Sequence, residues 1–424
     1  MVILLLFTEL KVKPMSTFSK RRLFLKLAGL SSLGLISYSY FRGIRMPPLM
    51  WEPSDISATT EYDGISIQGI DLIKTHRQVI KNVDVAFRAY TPNPSLTIDS
   101  IKKNTIRLSV NNIHSNAAFE YDPNSNVQIS ETVNGITRDI ELNFTEPATI
   151  HLAWKLSDKT KYRFASIGDT GGSQELAWAI QRANDLGAEF LLHLGDFNYQ
   201  DSDYASAITI FNKAPIPCYV SIGNHDFHDN GIQYQQFLND IGPLNYQFSI
   251  GKTRFVNLDT AASTLPYSSG FRGKLMQKLI AEKNRYATTI AFTHRPLYDP
   301  EEGSDHDIGS LGERDWLVKS LKNANITTLL SGHIHIFHRR NFDGIDNIIV
   351  GQGLGHQDLI TNSDYSKIAI GKVNISGDVE FEFMPLSMPL EMHCHPRTDV
   401  VKESLVNAKH ADLIQSITSI CNDA

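Results

Sequence analysis

The stretch FASIGDTGG, residues 164–172, decides the fold of the second half of the chain. An apolar run ends at Gly168, the carboxylate of Asp169 follows at once, and Gly171 and Gly172 come shortly after it. This order predicts a strand that runs into a tight loop and presents one carboxylate at its end. Asp169 is then either a metal ligand or an ordinary turn residue, and the rest of the chain decides which.

Four further apolar runs end in the same way. The motifs are GDFNY at Asp196, GNHD at Asn224, AFTH at His294, and GHIH at His333 and His335. In four of the five motifs glycine precedes the ligand-type residue, where the backbone must turn sharply. Open α/β sheets bind their ligands at the carboxyl ends of the strands, so the five motifs predict one shared site.

The side chains at these strand ends favour a particular class of metal. Carboxylates, imidazoles and an amide suit Fe, Mn and Zn better than metals that prefer thiolates. Two cations about 3.5–4 Å apart need a bridging carboxylate and separate ligands on either side. Such a pair binds phosphoryl oxygens and lowers the pKa of bound water, which predicts hydrolysis of phosphate esters.

The pattern of apolar segments divides the chain into two kinds of region. Residues 47–158 carry short β-rich segments separated by Pro, Asn, Asp and Ser, which predicts a small all-β sandwich. From about residue 159 strands alternate with helical segments, which predicts an α/β domain. The predicted boundaries are a signal or anchor at 1–45, the β-sandwich domain at 46–158, the catalytic domain at 159–385, and a tail and helix at 386–424.

The five motifs resemble the blocks of the calcineurin-like metallophosphoesterases. Within that superfamily they are most similar to those of the purple acid phosphatases, GDxG, GDxxY, GNH[DE], VxxH and GHxH. The match covers about residues 159–350, with Ala291 at the Val position of the fourth block. The resemblance implies a β-sandwich flanked by helices as the fold of this domain. In this family the first block lacks the His of related enzymes, and a tyrosine of the second block ligates instead; Tyr199 stands there.

The resemblance also implies a role for each motif residue. Seven predicted ligands hold two metal ions, the first by Asp169, Tyr199 and His335, both by the bridging Asp196, and the second by Asn224, His294 and His333. The hard, anionic phenolate favours Fe(III) at the first site, with Fe, Zn or Mn at the second. His225 is predicted to be catalytic, because it would face the substrate and protonate the leaving alkoxide.

The predicted function is that of an exported phosphatase acting on a small phosphate monoester through a metal-bound hydroxide, with no phosphoenzyme. Arg295, Tyr298 and His306 follow the fourth motif and are predicted to bind substrate. One alternative is a phosphodiesterase for a cyclic nucleotide or a phospholipid headgroup on the same scaffold. Another is a surface binding protein with a relic metal site. The ligands do not separate monoesters from diesters, because specificity depends on the loops around 198–206, 259–272 and 297–312.

The N-terminus predicts export. Arg21 and Arg22 precede Phe-Leu-Lys and a moderately apolar run, as in a twin-arginine signal. We therefore expect a bacterial protein that starts at Met15, engages the twin-arginine machinery, and reaches the periplasm, the cell surface or the medium. No cleavage site stands out before Met46, so retention as a membrane anchor stays open. The sequons NFT, NIT and NIS leave eukaryotic secretion as the alternative.

Charge and cysteine content limit the remaining possibilities. The formal net charge is −6, which gives no basic surface for nucleic acid. Of the 3 Cys, Cys218 lies in an apolar strand and is predicted to be an inert core thiol. Pairing of Cys394 with Cys421 stays open, as does the oligomeric state.

Overall fold

The structure is a computed structural model of the 424-residue chain. It describes residues 58–75, 83–156, 159–200, 202–226, 234–261, 270–300, 306–353 and 366–387. The predicted export segment, the predicted C-terminal helix, Cys394 and Cys421 lie outside these residues. Within the described part of the chain, no helix combines the length and the hydropathy that crossing a membrane requires.

The described residues between 58 and 156 form strands and no helix. The ten strands are β1 (Thr60–Tyr62), β2 (Ile65–Ile70), β3 (Leu72–Lys74), β4 (Val85–Ala89), β5 (Ser95–Ser100), β6 (Asn104–Asn111), β7 (Ala118–Tyr121), β8 (Val127–Asn134), β9 (Thr137–Phe144) and β10 (Ala148–Lys155). They make two five-stranded sheets, β1-β2-β5-β10-β7 and β3-β4-β6-β9-β8. Inward-facing residues alternate along β5 and β9, and both sheets contribute to one hydrophobic cluster around the buried Trp154.

The following residues form mixed sheets with helices. The strands are β11 (Tyr162–Ile167), β12 (Leu191–His193), β13 (Cys218–Val220), β14 (Tyr246–Ile250), β15 (Thr253–Asn257), β16 (Thr288–Phe292), β17 (Thr328–Ser331), β18 (Phe337–Phe342), β19 (Ile345–Val350), β20 (Lys367–Val373) and β21 (Val379–Pro385). The helices are α1 (Gln174–Asp185), α2 (Asp203–Asn212), α3 (Tyr234–Asp240), α4 (Gly270–Ala281) and α5 (Leu311–Asn323). Mixed sheets with helices confirm the coarse prediction for this region.

Parallel pairing brings the motif-bearing strands together. One sheet has the order β13-β12-β11-β20-β21, and the other β14-β15-β16-β17-β19-β18. Strands β11, β12 and β13 are parallel neighbours, as are β15, β16, β17 and β19. One hydrophobic cluster joins the two sheets, with Phe164 and Leu192 packing with Phe255 and Ile290. The carboxyl ends of both parallel sets therefore lead into the motif loops.

The β-rich region contacts the amino end of β13, the end away from the motif loops. Arg88 of β4 is buried, and its Nη2 donates to the carbonyl oxygen of Cys218 at 3.1 Å. Asn112 donates to the same carbonyl at 3.1 Å and accepts from the Cys218 N–H at 2.8 Å. Cys218 itself is buried and in no disulfide, in agreement with a core thiol.

His114 marks a second contact of the β-rich region. Its side chain is 3% exposed, and Nε2 lies 3.1 Å from Oε2 of Glu189, just before β12. Nδ1 accepts the N–H of Asn116 at 3.0 Å, so the ring is held in the neutral form with its hydrogen on Nε2. Burial lowers the pKa of His114 to about 4, and the charges of Lys159 and Arg138 act in the same direction.

We expect the protein to lose stability as the pH falls from about 6.5 to 4. Unfolded His114 takes up a proton near its ordinary pKa of about 6.5, whereas the folded residue takes it up only near 4, so the unfolded state binds more protons in this window. Across this pH window, the difference in proton uptake by His114 alone should lower the free energy of unfolding by about 3 kcal/mol. Denaturant titrations across the window should show a weaker pH dependence for His114→Gln than for the parent. The exposed His151→Gln is the control, and equal slopes in all three proteins would contradict the assignment.

Candidate metal centre

The two motif aspartates lie on left-handed turns within three residues of the ends of their strands. Asp169 follows β11 with a φ of 62°, and Asp196 follows β12 with a φ of 59°. Asp is among the few residues other than glycine that adopt this backbone. The motif glycines leave room for the carboxylates: a Cβ on Gly223 would lie 2.1 Å from Oδ1 of Asp196, and one on Gly332 would lie 2.4 Å from Oδ2 of Asp169.

The structure brings the predicted ligands of the first metal ion together. The hydroxyl of Tyr199 lies 3.2 Å from Nε2 of His335, and that nitrogen lies 3.6 Å from Oδ1 of Asp169. The carboxylate of Asp169 also accepts the N–H of His333, at 2.9 Å to Oδ2. Burial raises the pKa of Asp169, and the nearby imidazoles His335 and His294 oppose that rise. A buried carboxylate in this position is suited to a cation.

The predicted ligands of the second metal ion form a tighter group. Nε2 of His294 lies 2.8 Å from Oδ1 of Asn224, 3.1 Å from Nδ1 of His333 and 3.4 Å from Oδ2 of Asp196. One ligand atom from each of Asp196, His294 and His333 lies within 4.8 Å of the others. At this spacing one cation can contact all three side chains.

A backbone contact orients His294 for metal binding. Its Nδ1–H donates to the carbonyl oxygen of Leu194 at 2.8 Å, so the lone pair is on Nε2, which faces the cluster. Ligand histidines commonly donate their outer N–H to a carbonyl or carboxylate in this way. The donor chemistry on this side therefore fits a metal ion.

Asp196 lies between the two groups, as a bridging carboxylate requires. Its Oδ1 accepts the N–H of His225 at 2.8 Å, while Oδ2 faces His294 and lies 3.5 Å from the hydroxyl of Tyr199. Burial alone would raise the pKa of Asp196, but its electrostatic interactions with His294, His225 and His333 and its hydrogen bond with His294 outweigh burial and hold the pKa well below its usual range. The arrangement fits two metal ions that share this carboxylate.

His225 is the exposed member of the motif residues. Its backbone N–H, not its side chain, contacts Asp196, and the side-chain amide of Asn198 donates to its carbonyl oxygen at 3.2 Å. The imidazole lies over Tyr199, with ring centroids 4.6 Å apart. The ring is therefore beside the ligand group and open to solvent, as a residue that meets substrate must be.

Two of the three predicted substrate-binding residues lie beside the second metal group. Nη1 of Arg295 lies 2.9 Å from Nε2 of His333, and the ring of His306 lies 5.8 Å from the ring of His333. Tyr298 is placed differently. It is buried, and its hydroxyl lies 2.8 Å from Nδ1 of His338 on β18, so the structure does not bring this hydroxyl to the ligand group.

Asp226 supports the site and was not among the residues predicted from the sequence. The side chain is fully buried, and Oδ2 accepts the N–H of Gly223 at 2.7 Å and that of Asp196 at 3.0 Å. Oδ1 accepts the N–H of Phe197 at 2.9 Å. Burial and the charge of Asp196 raise the pKa of Asp226 to about 7. Asp226 thus ties the third motif to the turn of the second, and its place at the end of GNHD was the available signal.

Two other buried side chains hold the same loops. Nε2 of His193 lies 2.8 Å from Oγ1 of Thr170, and Nδ1 accepts the N–H of Gly195 at 3.3 Å. His193 is therefore a hydrogen-bonded residue beneath the site. Oδ2 of Asp203 accepts the N–H of Tyr199 at 3.1 Å and so fixes the loop that carries the phenol.

Comparisons with known proteins agree with this geometry at the level of the domain. Residues 162–337 match the family model described as calcineurin-like phosphoesterase. No curated protein matches the chain. The solved purple acid phosphatase PPD1 from yellow lupin (Lupinus luteus) seeds is 14% identical, with 75% of this chain and 72% of that chain covered and a TM-score of 0.45.

Two further solved structures are similarly distant. PhoD is 11% identical, with 74% of this chain and 88% of that chain covered and a TM-score of 0.40. GAP50, the anchor in the inner membrane complex of Plasmodium, is 17% identical, with 54% and 86% covered and a TM-score of 0.41. Identities and scores this low assign no activity.

Proposed function

We propose that this chain, whose residues 162–337 match the calcineurin-like phosphoesterase family model, hydrolyses phosphate monoesters with two metal ions of the purple-acid-phosphatase type. One observation carries the finer assignment. The hydroxyl of Tyr199 lies 3.2 Å from Nε2 of His335 and 3.5 Å from Oδ2 of Asp196, where a phenolate could bind the first metal ion. Gly171, on the first turn, offers no ligand, so Tyr199 completes the set.

Each side of the site has a distinct part in the proposed reaction. When bound, the two metal ions would supply positive charge for the phosphoryl oxygens and lower the pKa of water. The side chains of Arg295 and His306 lie where they can meet the phosphate beside the second group. The exposed imidazole of His225 can protonate the leaving alkoxide from the Tyr199 side. The complete ligand set also favours an enzyme over a binding protein with a relic site.

One assay of the purified, metal-analysed protein tests the proposal. We expect two metal ions per chain, iron among them, and a higher kcat/KM for a nitrophenyl monoester than for the matched diester or a cyclic nucleotide. Asp196→Asn is the control, because loss of the bridging charge should remove both metal ions and activity together. A preference for the diester would replace the monoesterase assignment by a phosphodiesterase on the same metal site. Absence of bound metal in an otherwise folded parent would reject both.

Export is proposed on the sequence alone, because residues 1–45 lie outside the described part of the chain. We propose that Arg21 and Arg22 direct a folded, metal-loaded protein through the twin-arginine pathway. Replacing both with Lys should leave the enzyme in the cytoplasm, as measured by fractionation and immunoblotting. Unchanged activity outside the cytoplasm in that variant would contradict the pathway.

A further inference from the structure

The guanidinium of Arg295 contacts the predicted metal ligand His333 at its outer ring nitrogen. Its Nη1 lies 2.9 Å from Nε2 of His333. The other ring nitrogen of His333, Nδ1, faces the ligand group and lies 3.1 Å from Nε2 of His294. A group that can only donate hydrogen bonds therefore contacts the outer nitrogen of this imidazole.

This contact differs from the usual surroundings of a ligand histidine. His294 has the usual arrangement, since its outer N–H donates to the carbonyl oxygen of Leu194 at 2.8 Å. A neutral imidazole that binds a metal ion through Nδ1 carries its remaining hydrogen on Nε2. The N–H of Arg295 Nη1 and the N–H of His333 Nε2 would then point at each other with no acceptor between them. Metal binding through Nδ1 and the observed hydrogen bond therefore exclude one another.

Arg295 has contacts other than the one to His333. Its backbone N–H donates to Oγ1 of Thr260 at 2.7 Å, and Nη1 lies 3.5 Å from the carbonyl oxygen of Asp307, so the arginine has anchors other than His333. The ring of His306 lies 5.8 Å from that of His333, on the side where the proposed function puts the substrate phosphate. A guanidinium fits phosphate oxygens with two parallel hydrogen bonds.

We propose that Arg295 couples the second metal ion to the substrate phosphate. Its hydrogen bond to His333 opposes metal binding there, and the guanidinium released by the metal ion binds the phosphoryl oxygens. The inference rests on the proposed function, because it uses His333 as a ligand of the second metal ion. Such coupling is reciprocal, so phosphate strengthens metal binding by the same factor as the metal ion strengthens phosphate binding.

The test compares Arg295→Gln with Arg314→Gln. Gln at 295 offers a carbonyl that can accept from Nε2–H of His333 and removes the charge. Arg314 of α5 provides the matched loss of charge, since its Nη1 donates to Oδ2 of Asp307 at 3.4 Å. Zn²⁺ affinity is measured by chelator competition, and the affinity of the Zn²⁺-loaded protein for inorganic phosphate by calorimetry.

We expect opposite shifts in the two affinities of Arg295→Gln. Zn²⁺ should bind the second site about tenfold more tightly. Phosphate should bind more weakly, by about tenfold or more. Both factors correspond to the free energy of one charged hydrogen bond. Arg314→Gln should change neither. Arg295→Met, which has no donor, should also bind Zn²⁺ more tightly and serves if the Gln variant does not fold.

Two results would overturn the coupling. If folded Arg295 variants bind Zn²⁺ as the parent does or more weakly, the arginine supports His333 and does not oppose the metal ion. If phosphate affinity is unchanged, the guanidinium does not reach the substrate. A failure of the proposed function looks different: the parent itself would bind fewer than two Zn²⁺ ions or would not hydrolyse the monoester, and both proposals would then fall.

Discussion

His225→Ala is expected to keep its metal ions and to lose about 10²–10⁴-fold in kcat, the usual contribution of general acid–base assistance. The side chain of His225 is exposed and lies over Tyr199, whereas only its backbone N–H contacts Asp196. Alanine retains that N–H, so the bridging carboxylate should stay in place. Metal content and single-substrate kinetics on the same preparation measure the two effects separately.

The leaving group distinguishes proton transfer by His225 from simple phosphate binding. A nitrophenolate needs little protonation and an alkoxide needs much, so the loss in His225→Ala should be smaller for the nitrophenyl ester than for an alkyl phosphate. The exposed His151→Ala, on the β-rich region, should behave as the parent with both esters. Equal losses for both would leave His225 an electrostatic or binding role only.

If the first site holds Fe(III) as proposed, Tyr199→Phe is expected to abolish the visible phenolate-to-iron charge-transfer absorption and to weaken metal binding at the first site. The change removes only the hydroxyl that lies 3.2 Å from Nε2 of His335, so the ring can still pack against His225. Loss of a residue that only hydrogen-bonds to a ligand typically lowers metal affinity about 10–100-fold. Loss of the ligand itself should lower the affinity further. Absorption spectra and metal analysis of the as-isolated proteins measure both effects.

The control for Tyr199→Phe is Asp203→Asn, which keeps the phenol and alters a residue that only holds its loop. Asp203→Asn should keep the visible absorption band that arises from charge transfer between the phenolate and Fe(III). If Tyr199→Phe retains the colour and iron content of the parent, Tyr199 is not a ligand and the purple-type assignment fails. The proposal of a two-metal site would then depend on the other predicted ligands.

The predicted ligands could be located at strand ends from the sequence, because strand ends can be recognised locally. An apolar run followed by glycine and a carboxylate indicates where β11 and β12 end, and parallel pairing then brings Asp169 and Asp196 together. Residues 162–337 match the calcineurin-like phosphoesterase family model, in agreement with the predicted metal-dependent phosphoesterase. The purple-acid-phosphatase type, the individual site roles and the domain boundaries at 46–158 and 159–385 stay predictions.

Contacts between loops distant in the chain could not be predicted in this way. Asp226 accepts from the backbone of Asp196, 30 residues earlier, and no local pattern shows that pairing. The direction of Tyr298 depends on His338, which belongs to the edge strand β18, 40 residues later. Within the β-rich region, the sequence did not show that β4 and β6 pair in parallel, which they do because β5, between them in the chain, belongs to the other sheet.

The left-handed turns at the motifs lower the stability of the fold at the positions where the predicted ligands are needed for activity. Asp169, Asp196 and His333 have φ values of 62°, 59° and 69°, and each such residue costs about 1–2 kcal/mol relative to a relaxed backbone. Glycine would relieve the strain at any of the three and would remove a ligand. At Asp169 and Asp196 glycine would also remove the carboxylate that accepts a backbone N–H. Selection for heat resistance alone should therefore favour glycine first at His333 and give a more stable, inactive protein. Bound metal ions reverse that preference, since they stabilise only the folded chain that keeps all three side chains.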